Sequence, residues 1–214
     1  MFDNIYKNKK ILITGDTGFK GSWLTIWLLK LGANIYGIAK DIPTVPSMYN
    51  ELGLKNKITH YDNDVRDLDS VVRIIKEVKP DFLFHLAAQA LVSVSYSDPI
   101  ETITTNVIGT TNILEALKQS NHHCVGIFIT SDKCYDNVEW EWGYKETDAL
   151  GGKDIYSGSK GAAEVVFKSY FHSFFNSDKS NVKVATTRAG NVVGGGDWAK
   201  DRIIPDCMRA WSKN

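Results

Sequence analysis

The chain has 214 residues with 25 basic and 25 acidic side chains, so its formal net charge is zero. A neutral balance argues against non-specific binding to nucleic acid or anionic membranes, because both need an excess of basic charge. Hydrophobic residues make up 43% and charged residues 23%, which is typical of a folded domain and not of a disordered chain.

Membrane segments, secretion signals and disulfides are not indicated either. The longest uncharged stretch, residues 82–97, is shorter than the ~18 apolar residues of a transmembrane helix. Residues 1–10 are polar and mixed in charge, unlike a secretion signal. Cys124, Cys134 and Cys207 have no CxxC spacing, so no metal site is proposed. We therefore expect a cytoplasmic protein with no membrane or nucleic-acid partner.

Short β-rich runs alternate with longer helical patterns along the chain. Alternation of this kind is typical of a parallel sheet with crossover helices. Residues 11–14 are apolar without alternation, as expected for a strand that is covered on both faces. The sequence thus predicts an α/β fold with a doubly wound parallel sheet of the Rossmann type. The predicted strands are 10–14, 34–39, 58–61, 82–86, 126–130 and 182–187, and the predicted helices are 18–31, 68–78, 99–119 and 155–175.

The first predicted strand runs directly into the glycine-rich sequence TGDTGFKG, residues 14–21, and then into an apolar helix. Glycines let the backbone approach a pyrophosphate, and the helix N-terminus offers free N–H groups and a partial positive charge. Asp16 is unfavourable beside an anion, so its side chain is expected to point away from the phosphates. The predicted dinucleotide contacts are Gly15, Thr17, Gly18, Phe19, Lys20 and Gly21.

The ends of the second and third strands offer candidates for binding the adenosine half of a dinucleotide. Sites of this kind usually have an acid after the second strand, which binds the ribose. Here Asp41 follows one residue late, and Lys40 before it is suited to a 2′-phosphate, so NAD is preferred but NADP stays open. Asp64 and Val65 after the third strand are candidates for adenine contacts, although a plain turn explains them equally well.

The fifth predicted strand ends in Thr130-Ser131-Asp132-Lys133, at the edge where open α/β sheets bind ligands. Ser131 is suited to share a substrate hydroxyl with a tyrosine base. Asp132 and Lys133 are either a catalytic acid and base or an exposed ion pair. Their position at the carboxyl edge favours a catalytic role.

Tyr156 and Lys160 form a YxxxK pair at the start of a predicted helix. On a helix, positions i and i+4 share a face, so the Lys160 ammonium is expected to lower the pKa of the Tyr156 phenol from ~10 toward working pH. The pair therefore predicts a tyrosinate base. The same spacing recurs at Tyr6 with Lys10 and at Tyr36 with Lys40. Neither of these pairs lies at a helix start, so we assign no function to them.

Several stretches of the sequence match a family pattern when taken together. They are TGDTGFKGSWL at 14–24, HLAAQ at 85–89, NVIGT at 106–110, TSDKCYDN at 130–137, the YxxxK pair and TRAGNVVGGGDWAKDRIIP at 187–205. The chain resembles the extended short-chain dehydrogenase/reductases of the NAD-dependent epimerase/dehydratase family, and within them the CDP-glucose 4,6-dehydratases. Lys133 favours this branch, because the dTDP-glucose dehydratases have Glu there. Asp16 and Ser93 depart from the pattern, which usually has His and Arg at those positions.

The resemblance implies an NAD-dependent lyase that converts CDP-glucose to CDP-4-keto-6-deoxyglucose. Tyr156 would take the 4-hydroxyl proton, with Lys160 tuning the phenol and Ser131 holding the hydroxyl. Asp132 would protonate the departing 6-hydroxyl, and Lys133 would act as the C5 base or stabilise the enolate as a cation. The resemblance also adds Leu86, Ala87 and Ala88 to the cofactor site and Gln89, Asn191 and Arg202 to the substrate site.

The resemblance further implies a homodimer through the two long helices and a role in supplying deoxysugars for bacterial surface polysaccharide, such as lipopolysaccharide O-antigen. Residues 1–190 are expected to form the dinucleotide-binding domain. Residues 191–214, including a helical pattern after Asp201, are expected to be only the start of a smaller substrate lobe, because family members run well beyond residue 214. The family members are therefore expected to bind most of the nucleotide sugar with residues outside this sequence.

Two other functions remain open at this point. A nucleotide-sugar 4-epimerase would use Ser131, Tyr156 and Lys160 but leave Asp132 and Lys133 idle. A dinucleotide-binding module without catalysis is the third possibility, and Asp16 in the glycine loop favours it.

Overall fold

Residues 2–213 are described by a computed structural model, in which six strands form one parallel sheet between layers of helices. The strand order is β3-β2-β1-β4-β5-β6. The chain winds in opposite directions from β1 and β4, so a crevice opens at the carboxyl ends of these two strands. The predicted doubly wound Rossmann-type sheet is confirmed. The strands are β1 (Lys10–Thr14), β2 (Asn34–Ala39), β3 (Thr59–Asp62), β4 (Phe82–His85), β5 (Cys124–Ile129) and β6 (Val182–Thr187).

Two of the long predicted helices contain a change of winding. Five-residue π-helical segments, Thr104–Ile108 and Phe171–Phe175, connect α5 to α6 and extend α7. The sequence pattern misses α2 and α4, because elements of four and six residues are too short to show a helical period. The helices are α1 (Phe19–Lys30), α2 (Met48–Glu51), α3 (Leu68–Val78), α4 (Val92–Ser97), α5 (Pro99–Ile103), α6 (Gly109–Lys118), α7 (Ile155–Tyr170) and α8 (Ile203–Trp211).

Two apolar layers cover the faces of the sheet. Leu12 of β1 packs in one layer, whereas Ile11 and Ile13 pack in the other, because alternate side chains of a strand point to opposite faces. Helix α3 begins at its N-cap Asp67, whose side chain accepts a hydrogen bond from the Ser70 backbone. The buried stripe of α3 joins the Leu12 layer through Val71, Ile74, Ile75 and Val78.

The bounds of β1, β2 and β6 are the predicted ones, whereas those of β3, β4 and β5 differ by one or two residues. The fifth strand begins at Cys124 and not at Gly126, because Cys124 pairs with Val182 of β6. Pairing with a neighbour is a long-range contact, and the local composition of a strand does not specify it.

The end of the chain lies against the first helix and then becomes exposed. After β6 an irregular segment follows, and the indole Nε1 of Trp23 in α1 donates to the Gly195 carbonyl at 2.9 Å. Helix α8, which the apolar spacing predicts, has no buried residue; Ile203 is 74% and Trp211 67% exposed. Within residues 2–213 the structure contains no helix with the length and hydropathy needed to cross a membrane.

Candidate functional site

The loop between β1 and α1 brings backbone N–H groups to the carboxyl edge of the sheet. Gly15 has a φ of +75°, and a Cβ there would lie 2.8 Å from the Ala87 backbone nitrogen. A Cβ on Gly21 would lie 2.0 Å from the Gly15 carbonyl oxygen. Helix α1 begins at Phe19 after Gly18, which has no side chain to cap the first-turn amides. These amides and the positive end of the helix dipole fit a pyrophosphate, so the loop fits the NAD that the sequence predicts.

Asp16 belongs to this loop but points into the interior. Its side chain has no exposed surface, and its Oδ2 lies 2.8 Å from Nδ1 of His60 in β3. A Cβ on Gly37 in β2 would lie 2.2 Å from the same oxygen, so the contact depends on that glycine. The hydrogen bond to Asp16 raises the pKa of His60 above its ordinary value. The carboxylate therefore points toward β2 and β3, as expected for a group that must avoid the phosphates.

The residues predicted to contact the adenosine differ in how free their side chains are to bind a ligand. Thr17 Oγ1 donates to the backbone carbonyl of Asp41 at 2.7 Å, and the Asp41 residue is exposed. Asp64 Oδ2 accepts from Nη2 and Nε of Arg66 at 2.6 and 3.0 Å. Val65 is buried in the core layer that contains Leu12. Asp41 is therefore available for a ribose hydroxyl, whereas Asp64 is engaged with Arg66 and Val65 is a core residue.

The segment after β4 runs beside the glycine loop. The backbone N–H of Leu86 donates to the Thr14 carbonyl at 3.0 Å, and that of Ala87 donates to the Thr14 hydroxyl at 3.1 Å. Ala88 follows directly and is partly exposed. These bonds place residues 86–88 next to the pyrophosphate loop, where the family resemblance assigns them to the cofactor site.

The side-chain amide of Gln89 forms several hydrogen bonds within the protein, which the sequence does not indicate. Its Nε2 donates to the Leu91 carbonyl at 3.0 Å and to the Thr102 hydroxyl at 2.8 Å, and its Oε1 accepts from the Leu91 backbone at 2.6 Å. The side chain thus holds the loop that leads into α4. Its contact with substrate stays a prediction, and the second lone pair of Oε1 is the part of the amide that these bonds leave for it.

Ser131 and Tyr156 come from different elements and meet at the carboxyl edge. Ser131 follows β5, and its hydroxyl donates to Oδ1 of Asp132 at 3.0 Å. Tyr156 lies in the first turn of α7, two residues after the N-cap Asp154. Burial raises the pKa of Tyr156, while a hydrogen bond with Ser131 and the positive charge of Arg202 partly offset this rise. The structure therefore places a hydroxyl, a phenol and a carboxyl group together at this edge.

Lys160 lies one turn after Tyr156 and is 7% exposed, with Nζ 5.8 Å from the centroid of the tyrosine ring. Burial, together with the positive charge of Lys20, lowers the pKa of Lys160 to about 8. The sequence predicts that Lys160 lowers the pKa of Tyr156, but the net shift of the phenol is upward. The direction of that prediction is wrong for this structure, because burial of the phenol outweighs the positive charges around it.

Asp132 and Lys133 form an ion pair with each other. Lys133 Nζ lies 3.2 Å from Oδ2 of Asp132, and the two side chains are 49% and 43% exposed. A lysine acts as a base when burial or a nearby cation destabilises its ammonium form. Lys133 is about half exposed and contacts a carboxylate, so the geometry favours an electrostatic role for it over that of a base.

The two remaining predicted substrate contacts lie beyond β6. Asn191 is exposed in the irregular segment, whereas Arg202 is half-buried at the N-cap of α8, and its charge lowers the pKa of Tyr156. Ser93, where the family usually has Arg, donates its hydroxyl to Oδ2 of Asp201 at 2.6 Å. The structure thus brings Arg202 toward the catalytic group, and it leaves Asn191 at the surface.

Asn106 is a buried positioning residue that sequence reasoning does not single out. It lies in the π-helical segment after α5, and its Nδ2 donates to the Gln89 carbonyl at 3.1 Å and to the Ser159 hydroxyl at 2.8 Å. Its Oδ1 accepts from the Gln89 backbone at 2.9 Å. Asn106 thereby ties the loop after β4 to α7 beside Lys160. The available signal is that Asn106 opens the stretch NVIGT, residues 106–110, which belongs to the family pattern.

Glu164 and Arg188 form a second buried network that the sequence does not reveal. The two guanidinium nitrogens Nε and Nη2 each lie 3.0 Å from a different carboxylate oxygen, and the side chains of Glu164 and Arg188 are only 4% and 16% exposed. Thr130 donates its hydroxyl to the same carboxylate at 2.5 Å. The network joins α7, the residue that follows β6 and the residue that precedes Ser131.

Comparison with known proteins agrees with this geometry. Over 99% of its length the chain is 49% identical to a CDP-glucose 4,6-dehydratase from Salmonella typhimurium, of which it covers 60%. A UDP-glucose 4-epimerase from Thermus thermophilus in complex with NAD is 28% identical, with a TM-score of 0.76, 90% coverage of this chain and 58% of that one. A dTDP-glucose 4,6-dehydratase from Streptomyces venezuelae, solved as a double mutant with NAD and DAU bound, has the same fold at 20% identity and a TM-score of 0.80, covering 95% of this chain and 62% of that one.

The chain therefore spans about 60% of the length of the relatives that it matches. A family model described as GDP-mannose 4,6 dehydratase matches residues 12–192. This match runs from β1 through the YxxxK pair to the segment after β6. Because it covers most of the chain, the protein belongs to the GDP-mannose 4,6 dehydratase family, within the NAD epimerase/dehydratase group.

Proposed function

We propose that the chain is the cofactor-binding and catalytic part of a CDP-glucose 4,6-dehydratase, a lyase that forms CDP-4-keto-6-deoxyglucose. The observation that carries the proposal is the meeting of Ser131, Asp132 and Tyr156 at the carboxyl edge, beside a glycine loop that fits NAD. The 49% identity to a CDP-glucose 4,6-dehydratase supports this substrate over other nucleotide sugars. We place the reaction in the cytoplasm, where its product supplies deoxysugar for surface polysaccharide.

The cofactor is held by the chain's own backbone and by one carboxylate. The first-turn amides of α1 bind the pyrophosphate, and Asp41 binds a ribose hydroxyl. Phe19 and Lys20 lie in that first turn, next to the site of the chemistry. NAD, when bound, supplies an acceptor for the C4 hydride and returns a hydride to C6.

Tyr156 takes the proton of the substrate 4-hydroxyl as a tyrosinate. Burial disfavours the phenolate, so its formation depends on the Ser131 hydrogen bond and on the positive charge of Arg202. Lys160 Nζ lies 5.8 Å from the centroid of the tyrosine ring. Ser131 also orients the hydroxyl that reacts. Burial lowers the pKa of Lys160 to about 8, closer to neutral pH than that of an ordinary lysine, which suits its ammonium to pass a proton.

Elimination then removes water across C5 and C6. The C4 ketone acidifies the C5 proton, which the Asp132 carboxylate takes. The protonated Asp132 then gives this proton to the 6-hydroxyl as it leaves, so that the C5 hydrogen and the 6-hydroxyl depart as water. Lys133, an exposed ammonium paired with Asp132, stabilises negative charge on the enolate. With a hydride returned to C6 and a proton returned to C5, the cycle changes the mass of the sugar by one water and leaves no net reduced cofactor.

We propose a homodimer, because exposed apolar side chains lie on the two long helical stretches, α5 to α6 and α7 with its π-helical extension. Sedimentation velocity over a range of concentrations tests it, and a monomer at every concentration contradicts it. An apolar surface of this kind is a typical subunit interface. The side chains are Ile100, Ile103, Ile108, Val165 and Phe174.

Mass spectrometry of products tests the proposed activity. In separate reactions, the chain is mixed with NAD and with one CDP-, dTDP-, GDP- or UDP-hexose. We expect loss of one water from CDP-glucose without accumulation of NADH. A product of unchanged mass with inverted C4 would instead indicate a 4-epimerase. Binding of NAD with no reaction on any sugar would support the non-catalytic module and contradict the dehydratase activity of this chain.

A further inference from the structure

Glu101 bridges two cations at the edge of the sheet where β2 and β3 end. Its Oε1 accepts a hydrogen bond from Nζ of Lys40, and its Oε2 accepts one from Nη1 of Arg66. Arg66 is held on its other side by Asp64, with 2.6 Å between Nη2 and Oδ2. The hydrogen bond from Lys40 is the main reason that the pKa of Glu101 lies below its ordinary value. The three elements that follow β2, β3 and β4 thus meet at one carboxylate.

Glu101 is positioned for this contact by the start of α5. Asp98 is the N-cap, Pro99 is the first helical residue, and the Asp98 carboxylate accepts a hydrogen bond from the Glu101 backbone at 2.9 Å. A glutamate at this position commonly folds back onto the N-cap backbone. Here it turns outward, and both of its oxygens contact Lys40 and Arg66.

The cluster lies beside the predicted ribose site. Lys40 is the first residue after β2, and the carbonyl of the next residue, Asp41, accepts a hydrogen bond from Thr17 in the glycine loop at 2.7 Å. In dinucleotide sites the residues after the second strand distinguish a ribose 2′-hydroxyl, which an acid binds, from a 2′-phosphate, which a cation binds. Lys40 and Arg66 are the cations in this position, and both are already paired with carboxylates.

The charge balance at this edge is unfavourable for a phosphate. Lys40 and Arg66 pair with the carboxylates of Asp64 and Glu101, and Asp41 directly follows Lys40 in the chain, so two positive charges at this edge stand against three negative ones. A 2′-phosphate would add close to two more negative charges near neutral pH. Removal of the Glu101 charge alone would balance the cluster and release the Lys40 ammonium.

We infer that Glu101 determines cofactor preference by neutralising Lys40 and Arg66, so that the site accepts a ribose 2′-hydroxyl and rejects a 2′-phosphate. The inference rests on the proposed function, since it requires that the loop between β1 and α1 binds a dinucleotide. Glu101 acts through Lys40 and is a specificity-determining residue, not a catalytic one.

Isothermal titration calorimetry of the Glu101→Gln variant tests the inference. The titrants are NAD, NADP and adenosine 2′,5′-bisphosphate, which carries the 2′-phosphate without the nicotinamide half. We expect affinity for NADP and for the bisphosphate to rise about tenfold, as for one added charge-assisted contact at a partly exposed site. Affinity for NAD should change less than about twofold, and the gain should shrink at high salt because the charges are partly exposed.

Two further variants separate a specific effect from a general loss of negative charge. Glu115→Gln removes a carboxylate that is paired with Lys118 in α6, and the ratio of NAD to NADP affinity should stay at the wild-type value. The double variant Lys40→Met/Glu101→Gln should lose the gain in NADP affinity. A gain that survives the loss of Lys40, or one that Glu115→Gln reproduces, overturns the inference.

The single variant Lys40→Met keeps the inference testable if Glu101→Gln fails to fold. A neutralised Lys40 contributes little to phosphate binding, so NADP affinity should fall less than about twofold, whereas a free Lys40 would give a loss of about tenfold. The larger loss contradicts the inference. Wild-type protein that binds neither NAD nor NADP contradicts the proposed function itself, which is a different outcome from an unchanged preference in the Glu101→Gln variant.

Discussion

Replacement of Arg188 by methionine tests how far the buried ion pair behind the catalytic edge stabilises the protein. Arg188 forms two 3.0 Å hydrogen bonds with the Glu164 carboxylate, which is 4% exposed. Methionine keeps much of the length and apolar character of the arginine stem but removes the charge. The variant therefore leaves a buried carboxylate whose remaining hydrogen bonds come from Thr130 and Thr186.

The expected loss of unfolding free energy in Arg188→Met follows from the burial of this ion pair. Removal of one member of a buried ion pair costs roughly 3–5 kcal/mol. Arg188 is 16% exposed and two hydroxyls still bind the Glu164 carboxylate, so we expect the lower end, about 3 kcal/mol. For a protein of this size that corresponds to a Tm lower by roughly 6–12 °C.

The loss of unfolding free energy in Arg188→Met should depend on pH, and the direction of this dependence follows from the pKa of Glu164. Burial acts to raise this pKa, but hydrogen bonds from Arg188 and Thr130 hold it below its ordinary value. The wild-type carboxylate therefore contributes stability above the pKa of the unfolded chain and loses it as the pH falls. Without Arg188 burial dominates, so the variant loses stability as the pH rises through the unfolded value. The difference in unfolding free energy should grow from about pH 5 to about pH 7.5.

Urea denaturation followed by tryptophan fluorescence at both pH values measures this difference. The matched control is Arg209→Met, because Arg209 pairs with Asp206, whose side chain is 46% exposed. That exposed pair should contribute less than about 1 kcal/mol, with little dependence on pH. A loss below about 1 kcal/mol for Arg188→Met at pH 7.5, or a loss equal at both pH values, would refute the reasoning.

Two further predictions concern the glycine loop and the tyrosine base. Gly21→Ala places a Cβ 2.0 Å from the Gly15 carbonyl, so NAD affinity measured by calorimetry should fall at least about tenfold, while Gly143→Ala, with no atom within 4 Å, should leave it unchanged. Unaltered binding by Gly21→Ala argues against this loop as the pyrophosphate site. Tyr156→Phe should lower turnover of CDP-glucose by at least about 100-fold with little change in NAD affinity. Tyr170→Phe, which removes a hydroxyl that donates to Glu115, should retain activity. An active Tyr156→Phe variant removes the phenol from the mechanism.

Local patterns were sufficient to predict the fold. Apolar runs without alternation predicted the buried strands, and the strand–glycine–helix order of residues 14–21 predicted the pyrophosphate loop. Both features depend on a few consecutive residues, because glycine permits a close backbone approach and strand burial follows from local composition. The Tyr156 and Lys160 pair was predicted to share a helix face for the same reason, and the structure places both on α7.

The charged and polar contacts of the site were decided by tertiary structure. Glu101 pairs with Lys40 across 61 residues and with Arg66 across 35 residues, and Arg188 reaches Glu164 across 24 residues. Sequence spacing gives no information about such contacts, since they depend on which strands become neighbours in the sheet.

The pKa of Tyr156 shows the same limit. Its position relative to Lys160 predicts a lowered pKa, but burial of the phenol, to which distant segments contribute, raises it. Sequence spacing determines which groups are close along a helix. The sign of a pKa shift also depends on how far those groups are removed from water, and only the packing of α7 against the rest of the fold determines that.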